Sequence, residues 1–328
     1  MAPKAPREPV EVIEVARLTK YYADRPAVLD VSFTVARGEI VGFLGPNGAG
    51  KTTTMRMLTC FLPPTAGTAR VAGFDTLSDS FEVRRRVGYL PESVPLYRDL
   101  TVAAYLDFIA TLKGLAGAHR VRRVGTVMEE CGVSDVRNRP IGRLSRGYRQ
   151  RVGIAQALVS DPEVLILDEP TVGLDPRQVV EIRALIRGLA GDRTIVLSTH
   201  ILSEVSALCR RVLVINRGRL VSDDYTSNLA RNLQRGLVLD VVARGPAEGV
   251  SGTIRGVGGV REVAAAGSGD DAGRYRVACA AGEDPRAAVA AALVGAGYAL
   301  EGLTARDVSL EEIFVQLVTE GGGTDDRA

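Results

Sequence analysis

A glycine-rich run that ends in lysine and threonine is the strongest chemical signal in this sequence. Residues 45–53 read GPNGAGKTT and fit the phosphate-loop pattern G-x-x-x-x-G-K-[ST] between a predicted strand and a predicted helix. In such a loop, backbone N–H groups turn towards phosphate oxygens, Lys51 supplies a charge for the β and γ phosphates, and the Thr52 hydroxyl can ligate Mg²⁺. A glycine-rich turn without a ligand would not explain the flanking elements. The residues predicted to bind nucleotide are Gly45, Pro46, Asn47, Gly48, Ala49, Gly50, Lys51, Thr52 and Thr53.

Two adjacent carboxylates end a later apolar run, EVLILDEP, which starts at Glu163. Asp168 is predicted to hold Mg²⁺ through water, as the acid of a phosphate site does. Glu169 is predicted to point elsewhere, because strand side chains alternate, and to polarise an attacking water as a general base. Two acids at a strand end are common in isolation, and the preceding phosphate loop is what favours the catalytic interpretation.

A histidine follows the next predicted strand, TIVLSTH, at position 200. A lone histidine is more often a surface or core residue than a catalytic one. His200, however, stands at the carboxyl end of a strand, where α/β proteins bind their ligands. The position favours a role at the nucleotide site, whereas His119 lies beside Arg120 in a predicted helical segment.

The hydrophobic pattern predicts an α/β domain that positions these groups. VIEVARLTKYY and AVLDVSFTVARGEIVGFLG alternate and then become continuously apolar, which predicts antiparallel strands feeding a buried strand at Ile40 to Leu44. The strands EVLILD, TIVLST and RVLVIN follow, with helices between them. An intervening region of about residues 95–145 is predicted to be a helical insertion. The residues expected on one face of its first helix are Val102, Tyr105, Leu106, Ile109 and Leu112.

A second, smaller domain is predicted after a composition shift to Gly, Ala and Val near Arg231. Residues 10–230 would form the first domain, and residues 236–319 read β-α-β-β-α-β, a ferredoxin-like α+β order. One helix there is predicted to open with Asp284 as its N-cap and Pro285 at its first position. Another would open at Ser309 with Glu312 completing a capping box. Residues 320–328 are predicted to be a disordered tail.

Composition argues against several classes of function. The net charge is only +2 with both signs intermixed, so no nucleic-acid partner is expected. The four cysteines are far apart, which predicts reduced thiols rather than zinc ligands or disulfides. The N-terminal MAPKAPREPV lacks the apolar run of a signal peptide, and the longest apolar stretch, 287–300, is shorter than the roughly 20 residues that span a bilayer. A cytoplasmic protein is expected, with any membrane role coming through a partner.

Several motifs occur in one order, and together they carry a resemblance. Tyr22 precedes the phosphate loop in LTKYYADRPAVLDVSF, LSRGYRQRVGIAQAL starts at Leu144, and LILDEP is followed by GLDP, which contains Asp175, and then by His200. From Val12 to Ser222 the chain resembles the ATP-binding subunits of ABC transporters. These motifs match the adenine-stacking aromatic, Walker A, the signature, Walker B, the D-loop and the switch histidine. The resemblance implies a RecA-like P-loop core.

The resemblance also implies a mechanism and partners. Two subunits pair head to tail, and Ser145 and Gly147 of one signature bind the γ-phosphate of ATP held by the other subunit. Hydrolysis removes that contact and lets the dimer open. ATP therefore binds the closed dimer better than the open one. The implied partners are a second copy or a related ATPase subunit and a separately encoded multi-span permease. The implied function is MgATP hydrolysis that drives transport, with export as the expected direction, from the inner face of the cell membrane.

Two positions depart from the family pattern. Arg146 stands where the signature usually has its first glycine, and either a contact with a phosphate or acid of the partner or a solvated side chain is possible. The signature sequence resembles that of a branch of the family that reads LS-[KR]-G-Y-R-Q-R. Tyr148 in place of glutamine therefore does not indicate an inactive site. Glu92, in GYLPES, stands where a glutamine usually touches Mg²⁺, and a glutamate can also ligate magnesium. Glu92 is therefore predicted as a metal ligand with Thr52 and Asp168.

Two rival functions fit the sequence less well. A soluble ABC protein acting on ribosomes or DNA usually carries tandem cassettes or long coiled-coil inserts, and this sequence has one cassette and neither feature. A P-loop kinase or GTPase would need an acceptor pocket or an N-K-x-D element, and it leaves LSRGYRQR unexplained. The C-terminal module resembles a small domain appended to export-type subunits. Dimer support, regulation or a purely structural role all remain open for it.

Overall fold

The computed structural model describes residues 11–191, 193–228, 237–268, 273–280 and 283–306. The chain divides into two compact units, which part between Thr226 and Ser227. The boundary predicted near Arg231 falls among residues 229–236 and therefore lies outside the described residues. Each unit is described by itself below.

The first unit contains two sheets and the helices that pack on them. Its strands in the described residues are β1 (Glu11–Tyr22), β2 (Arg25–Ala36), β3 (Ile40–Leu44), β4 (Ala66–Val71), β5 (Phe74–Asp75), β6 (Val87–Leu90), β7 (Val164–Asp168), β8 (Thr194–Thr199), β9 (Arg211–Asn216) and β10 (Arg219–Tyr225). Its helices are α1 (Lys51–Leu58), α2 (Ser80–Arg86), α3 (Val102–Leu112), α4 (Gly117–Glu130), α5 (Arg146–Leu158), α6 (Pro176–Gly188) and α7 (Leu202–Leu208). Two short 3₁₀ turns lie at Ser134–Val136 and Ile141–Arg143.

The larger sheet has six strands in the order β10-β9-β3-β8-β7-β6. All neighbours pair in parallel except β10, which is antiparallel to β9. Strands β3, β8 and β7 are consecutive neighbours, so their carboxyl ends meet at one edge of the sheet. This edge is where an open α/β sheet binds its ligands.

The second sheet of this unit is antiparallel, with the order β2-β1-β4-β5. Strand β1 contains both buried and exposed side chains, as expected in a sheet with one face against the core. Ile13 and Leu18 are fully buried. The two sheets share a continuous hydrophobic core, in which the rings of Phe33 and Phe43 lie 5.8 Å apart. The core thus holds the phosphate-loop strand β3 against the antiparallel sheet.

Helices α3 and α4 form the predicted helical insertion, but one end of the predicted buried face is wrong. Val102, Tyr105 and Leu106 are buried, as expected, whereas Leu112 is 68% exposed. Ala110, which was not predicted, is buried instead. Leu112 lies at one edge of the apolar stripe on the helical wheel and Ala110 at the other. The helix packs on the Ala110 edge, and the pattern alone did not distinguish the two.

The second unit is a four-stranded antiparallel sheet with two helices. Its described elements are β11 (Val238–Arg244), α8 (Ala247–Arg255), β12 (Val260–Ser268), β13 (Gly273–Cys279), α9 (Arg286–Gly295) and β14 (Ala299–Arg306). The strand order is β12-β13-β11-β14. A separate core includes Leu239, Tyr275, Val277 and Leu293. The element order is therefore the predicted β-α-β-β-α-β.

The start of α9 differs slightly from its prediction. The helix begins at Arg286, and Pro285 precedes it instead of occupying its first position. The Asp284 carboxylate accepts a hydrogen bond from the Arg286 backbone at 3.3 Å, and the Arg286 guanidinium also binds it. The helix predicted from Ser309 and the tail at residues 320–328 lie outside the described residues. Of the helices that the structure describes, none combines the length and the apolar composition needed to cross a membrane.

Candidate functional site

The phosphate loop connects the end of β3 to the start of α1. Gly50 adopts a left-handed conformation with φ of 109°, and a Cβ atom there would lie 2.5 Å from the Ala27 carbonyl oxygen. A Cβ atom at Gly45 would lie 2.4 Å from the Ile215 carbonyl oxygen. Only glycine fits at these two positions, because the loop is packed against neighbouring strands. The two glycines therefore fix the path of the loop, which borders a cavity.

That cavity has a volume of about 260 Å³. Its lining residues are Ala27, Asn47, Gly48, Gly50, Lys51, Thr52, Thr53, Glu92, Glu169, Val172 and His200. The structure thus brings residues of the predicted phosphate loop together with three predicted groups from later in the chain. Glu92 is exposed in this cavity, from which a carboxylate can meet a bound metal.

Four predicted nucleotide-binding residues lie outside this lining. Gly45 and Pro46 act through their carbonyl oxygens, which accept hydrogen bonds from the Lys51 ammonium at 2.8 and 3.2 Å. Ala49 packs into the hydrophobic core. Tyr22 lies at the end of β1 and is 47% exposed, with the Lys20 ammonium 5.9 Å from its ring centre. An exposed ring at this position is available to stack on a planar group.

Lys51 is buried and paired with Glu169. Its Nζ lies 3.3 Å from Oε1 of Glu169, and both side chains are less than one-tenth exposed. A phosphate that enters the loop competes with Glu169 for this ammonium. The pair therefore links phosphate binding to the position of the Glu169 carboxylate.

Asp168 has the environment expected of a metal ligand. The side chain is fully buried, and Oδ1 accepts hydrogen bonds from the Thr52 hydroxyl at 3.2 Å and from the Ser198 hydroxyl. Oδ2 is buried without a hydrogen-bond partner. A buried carboxylate oxygen without a partner is costly, and a cation would stabilise it. Among the described residues, no cluster of three or more His, Cys, Asp or Glu side chains could by itself hold a metal ion. Mg²⁺ fits this arrangement, because it is bound through one or two protein groups with phosphates and water.

The direction predicted for Glu169 is wrong. Strand β7 ends at Asp168, and Glu169 follows it with a positive φ of 49°. Strand alternation therefore does not apply, and the carboxylates of both acids face the phosphate loop. Oε2 of Glu169 lies 3.0 Å from Nδ1 of His200. His200 therefore lines the same cavity as the phosphate loop.

Ser198 takes part in this site, although the sequence analysis did not identify it. Its hydroxyl donates to Asp168 and accepts a hydrogen bond from the Glu169 backbone N–H at 3.1 Å. Ser198 and Asp168 are register partners in the neighbouring strands β8 and β7. A serine near the carboxyl end of TIVLST was the available signal, but its significance depends on the strand order.

A second polar cavity, of about 410 Å³, surrounds the start of α5. Its lining residues are Gly132, Ser145, Gly147, Tyr148, Arg151, Asp175, Arg177, Gln178, Glu181 and Ile182. Ser145 caps α5, and its hydroxyl accepts a hydrogen bond from the Tyr148 backbone N–H at 3.3 Å. Asp175 caps α6 in the same way, through the Gln178 backbone N–H at 2.9 Å. The lining of this cavity shares no residue with that of the phosphate-loop cavity.

Gly147 and Arg146 are both packed against the segment that follows Glu169. A Cβ atom at Gly147 would lie 2.7 Å from the end of the flexible Gln178 side chain, which would have to move to admit it. The Arg146 guanidinium donates to the Val172 carbonyl oxygen at 3.0 Å and lies directly over Gly173, which has a positive φ of 68°. Arg146 is therefore bound within its own chain and not simply solvated. The Tyr148 hydroxyl donates to Asp135 at 2.8 Å, and this hydrogen bond raises the pKa of Tyr148.

The fold and the two polar sites define a P-loop ATPase of the cassette type, and comparison with known proteins places the chain more closely. The family profile described as ABC transporter matches residues 28–172. The bacitracin transport ATP-binding protein BcrA of Bacillus licheniformis is 40% identical over 214 residues, which cover 65% of this chain and 69% of that protein. The daunorubicin/doxorubicin resistance ATP-binding protein DrrA of Streptomyces peucetius is 37% identical over 246 residues, 74% of each chain. The chain belongs to the ABC transporter ATP-binding proteins.

Solved structures agree with this membership. The dimeric structure of MJ0796, a bacterial ABC transporter cassette, has a TM-score of 0.59 and 25% sequence identity, covering 65% of this chain and 98% of the solved one. The protein is accordingly an ATP-hydrolysing subunit whose family works through ATP-dependent pairing of cassettes.

Proposed function

We propose that this chain is the ATPase subunit of an exporter and that it hydrolyses MgATP in a head-to-tail dimer. The observation that carries the proposal is the pair of separate polar cavities in the first unit. One contains the groups that bind phosphate and metal, and the other contains the signature residues. A site for ATP is complete only when the second cavity of one subunit covers the first cavity of another.

In the first cavity, Lys51 and the phosphate-loop N–H groups bind the β and γ phosphates. Thr52, Asp168 and Glu92 would hold Mg²⁺, which would screen the charge of the phosphates. Glu169 accepts a proton from the attacking water, and His200 orients the Glu169 carboxylate through their 3.0 Å contact. Tyr22 stacks on the adenine ring. The Ser198 hydroxyl holds the Asp168 carboxylate and the Glu169 backbone in position through its two hydrogen bonds.

In the second cavity, Ser145 and Gly147 bind the γ-phosphate of ATP held by the partner subunit. Ser145 provides its hydroxyl and Gly147 its N–H, at the start of α5 where the helix N-terminus favours an anion. Asp175 holds the start of α6 beside them. The partner is a second copy of this chain or a related ATPase subunit.

The transport direction is inferred from the relatives, which include a bacitracin transport protein and a daunorubicin/doxorubicin resistance protein. We infer export through a separately encoded multi-span permease, with this chain at the inner face of the cell membrane. No nucleic-acid partner is proposed, because the charges are balanced.

A groove of about 540 Å³ supports docking of the permease on the first unit. Three cations, Arg56, Arg84 and Lys113, line it together with exposed Phe61, and no carboxylate is among its described lining residues. Burial and the nearby Arg84 lower the pKa of Lys113. An apolar segment with an acidic residue would complement this groove.

We assign the second unit to the ferredoxin-like class on the basis of its strand order. We propose residues 10–230 as the limits of the first domain and residues 236–319 as the limits of the second. We propose no part for it in hydrolysis. Dimer support remains a role to test by deleting it and measuring ATP-dependent pairing.

Two measurements on Glu169→Gln test the proposal. The purified variant should be a dimer with MgATP and a monomer with MgADP by light scattering, and adding Ser145→Arg should abolish the dimer. In membranes solubilised with mild detergent, the tagged variant should capture a multi-span protein in stoichiometric amount. A monomer under both conditions would contradict the head-to-tail mechanism, and capture of ribosomal proteins or nucleic acid instead would contradict transport.

A further inference from the structure

A buried carboxylate outside the nucleotide cavity connects the two segments that carry Glu169 and His200. Glu204 lies in α7, and only 2% of the residue is exposed. Its Oε1 accepts a hydrogen bond from the Thr171 hydroxyl at 2.5 Å, and its Oε2 accepts one from the Thr199 hydroxyl at 2.8 Å. The Arg183 guanidinium lies 3.5 Å from Oε1. No role in ATP binding or hydrolysis described above uses Glu204.

The two threonines are placed immediately beside the catalytic groups. Thr171 follows Glu169 by two residues, and Thr199 directly precedes His200. Both threonines are buried. Glu169 and His200 lie on separate segments, one after β7 and one after β8, and their side chains are in contact at 3.0 Å. A single carboxylate therefore binds both segments within two residues of this contact.

The direction of these hydrogen bonds is determined by chemistry. An ionised carboxylate only accepts, so both hydroxyl protons point at Glu204. The Thr199 oxygen also accepts a hydrogen bond from the Ile201 backbone N–H at 3.1 Å, which orients the chain just after His200. Moving either segment away would leave a buried negative charge with a missing donor, which is strongly unfavourable. The two segments are therefore held in one relative position.

We propose that Glu204 is a positioning residue for ATP hydrolysis, which keeps Glu169 and His200 in their productive contact by binding Thr171 and Thr199. The inference rests on the proposed roles of Glu169 and His200. A small displacement of a catalytic group has a large effect on rate, whereas ATP affinity depends mainly on the phosphate loop. Loss of either hydroxyl should therefore lower kcat and leave nucleotide affinity unchanged.

The test uses Thr171→Val and Thr199→Val in the full chain, because valine keeps the shape of threonine and removes the hydroxyl. Each should lower kcat about tenfold or more, with ATP affinity of the monomer within about twofold of the wild type. Thr171→Ser and Thr199→Ser keep the hydroxyl and should restore kcat to within about threefold. Ser206→Ala, in the same helix, is the matched control, since within the described parts of the chain its hydroxyl bonds only the Leu202 carbonyl in α7.

A double variant separates the proposal from two independent defects. If both threonines act through Glu204, Thr171→Val with Thr199→Val should lose little more activity than either alone. Unchanged kcat in both valine variants, or serine variants as inactive as the valine ones, would overturn the proposal. A parallel fall in kcat, affinity and melting temperature would show a merely structural role, which also overturns it.

Two further variants keep the result interpretable. If the valine variants fail to fold, Glu204→Gln replaces them, because it keeps the size of the side chain, removes the charge and turns one accepting oxygen into an NH₂ donor. The same split between kcat and affinity is then expected, and its absence contradicts the proposal. Glu169→Gln in the same assay tests the underlying role separately: turnover in that variant would contradict the role of Glu169, whatever the threonine variants show.

Discussion

The Lys51 ammonium and the Glu169 carboxylate form a buried ion pair, with Nζ 3.3 Å from Oε1. The residue proposed to bind phosphate and the proposed general base are therefore in contact, although they are 118 positions apart in the sequence. In the proposed mechanism, ATP draws Lys51 towards its phosphates, and this leaves the Glu169 carboxylate to bind the attacking water. The pair connects nucleotide binding to the chemistry that follows it.

Replacing Glu169 by glutamine should keep ATP binding and abolish turnover. The amide retains the size of the side chain but cannot accept a proton from water, so kcat should fall by about 10²–10⁴. Phosphate release and ATP affinity of the same preparation are the measurements. Ser206→Ala, at a position outside the linings of both cavities, provides a comparison in which the base is intact. Hydrolysis near the wild-type rate would remove the assigned role of Glu169.

Lys51→Ala should weaken ATP binding and also destabilise the fold. It removes the charge for the phosphates and leaves the buried Glu169 without its cation. Breaking a buried pair in this way lowers the free energy of unfolding by up to about 3 kcal/mol. Adding Glu169→Gln removes the unpaired charge and should recover part of that stability. Nucleotide titration and urea unfolding of both variants test this, and equal stability of the single and double variants would contradict the importance of the pair.

Ser145→Arg should impair hydrolysis while the monomer keeps nearly its normal nucleotide affinity, because the Ser145 cavity serves the ATP of the partner. The substitution also removes the N-cap of α5, which costs about 1 kcal/mol of stability. Ser145→Thr retains a capping hydroxyl and is the control. ATPase activity should be measured against protein concentration, and affinity in dilute protein. A large affinity loss in the monomer would contradict binding in trans.

Gly173→Ala should be destabilising for two reasons. Its φ of 68° is unfavourable for alanine, and the new Cβ, about 2.3 Å from the Arg146 guanidinium, would displace that group from its hydrogen bond to Val172. The left-handed conformation alone costs about 1–2 kcal/mol. Arg146→Gly should relieve the contact but not the backbone strain, so the double variant should recover part of the loss. Denaturant unfolding of the three variants measures this coupling, and fully additive effects would mean that the two residues do not interact.

Stability should fall as pH rises above about 9. Burial raises the pKa of the Cys131 thiol from 9.0 to about 12, so the folded state keeps a proton that the unfolded chain releases. The stabilisation is complete below pH 9 and is lost as pH rises towards 12, at about 1.4 kcal/mol per pH unit for one thiol. Unfolding between pH 8.5 and 10.5 should show a smaller slope for Cys131→Ala. Equal slopes in the two proteins would contradict this assignment.

The local chemistry of the nucleotide site was predictable from sequence. The phosphate loop is nine consecutive residues, 45–53, whose glycines and lysine have meaning at fixed spacing. The strands β3, β7 and β8 were recognisable as short apolar runs, and their order along the chain placed Asp168 and His200 at strand ends. Such features depend on residues close in sequence, and hydrophobic periodicity is a local property.

Interactions between separate segments were decided only by the tertiary structure. Strand order puts Ser198 beside Asp168, the turn after β7 directs Glu169 to Lys51, and helix packing brings Glu204 to Thr171 and Thr199. Arg146 meets Val172 because α5 starts beside the segment that leaves β7. By itself the sequence determined the motif and the class of chemistry. These hydrogen bonds join residues that are distant in the chain, and their geometry depends on how sheets and helices pack, which residue spacing does not encode.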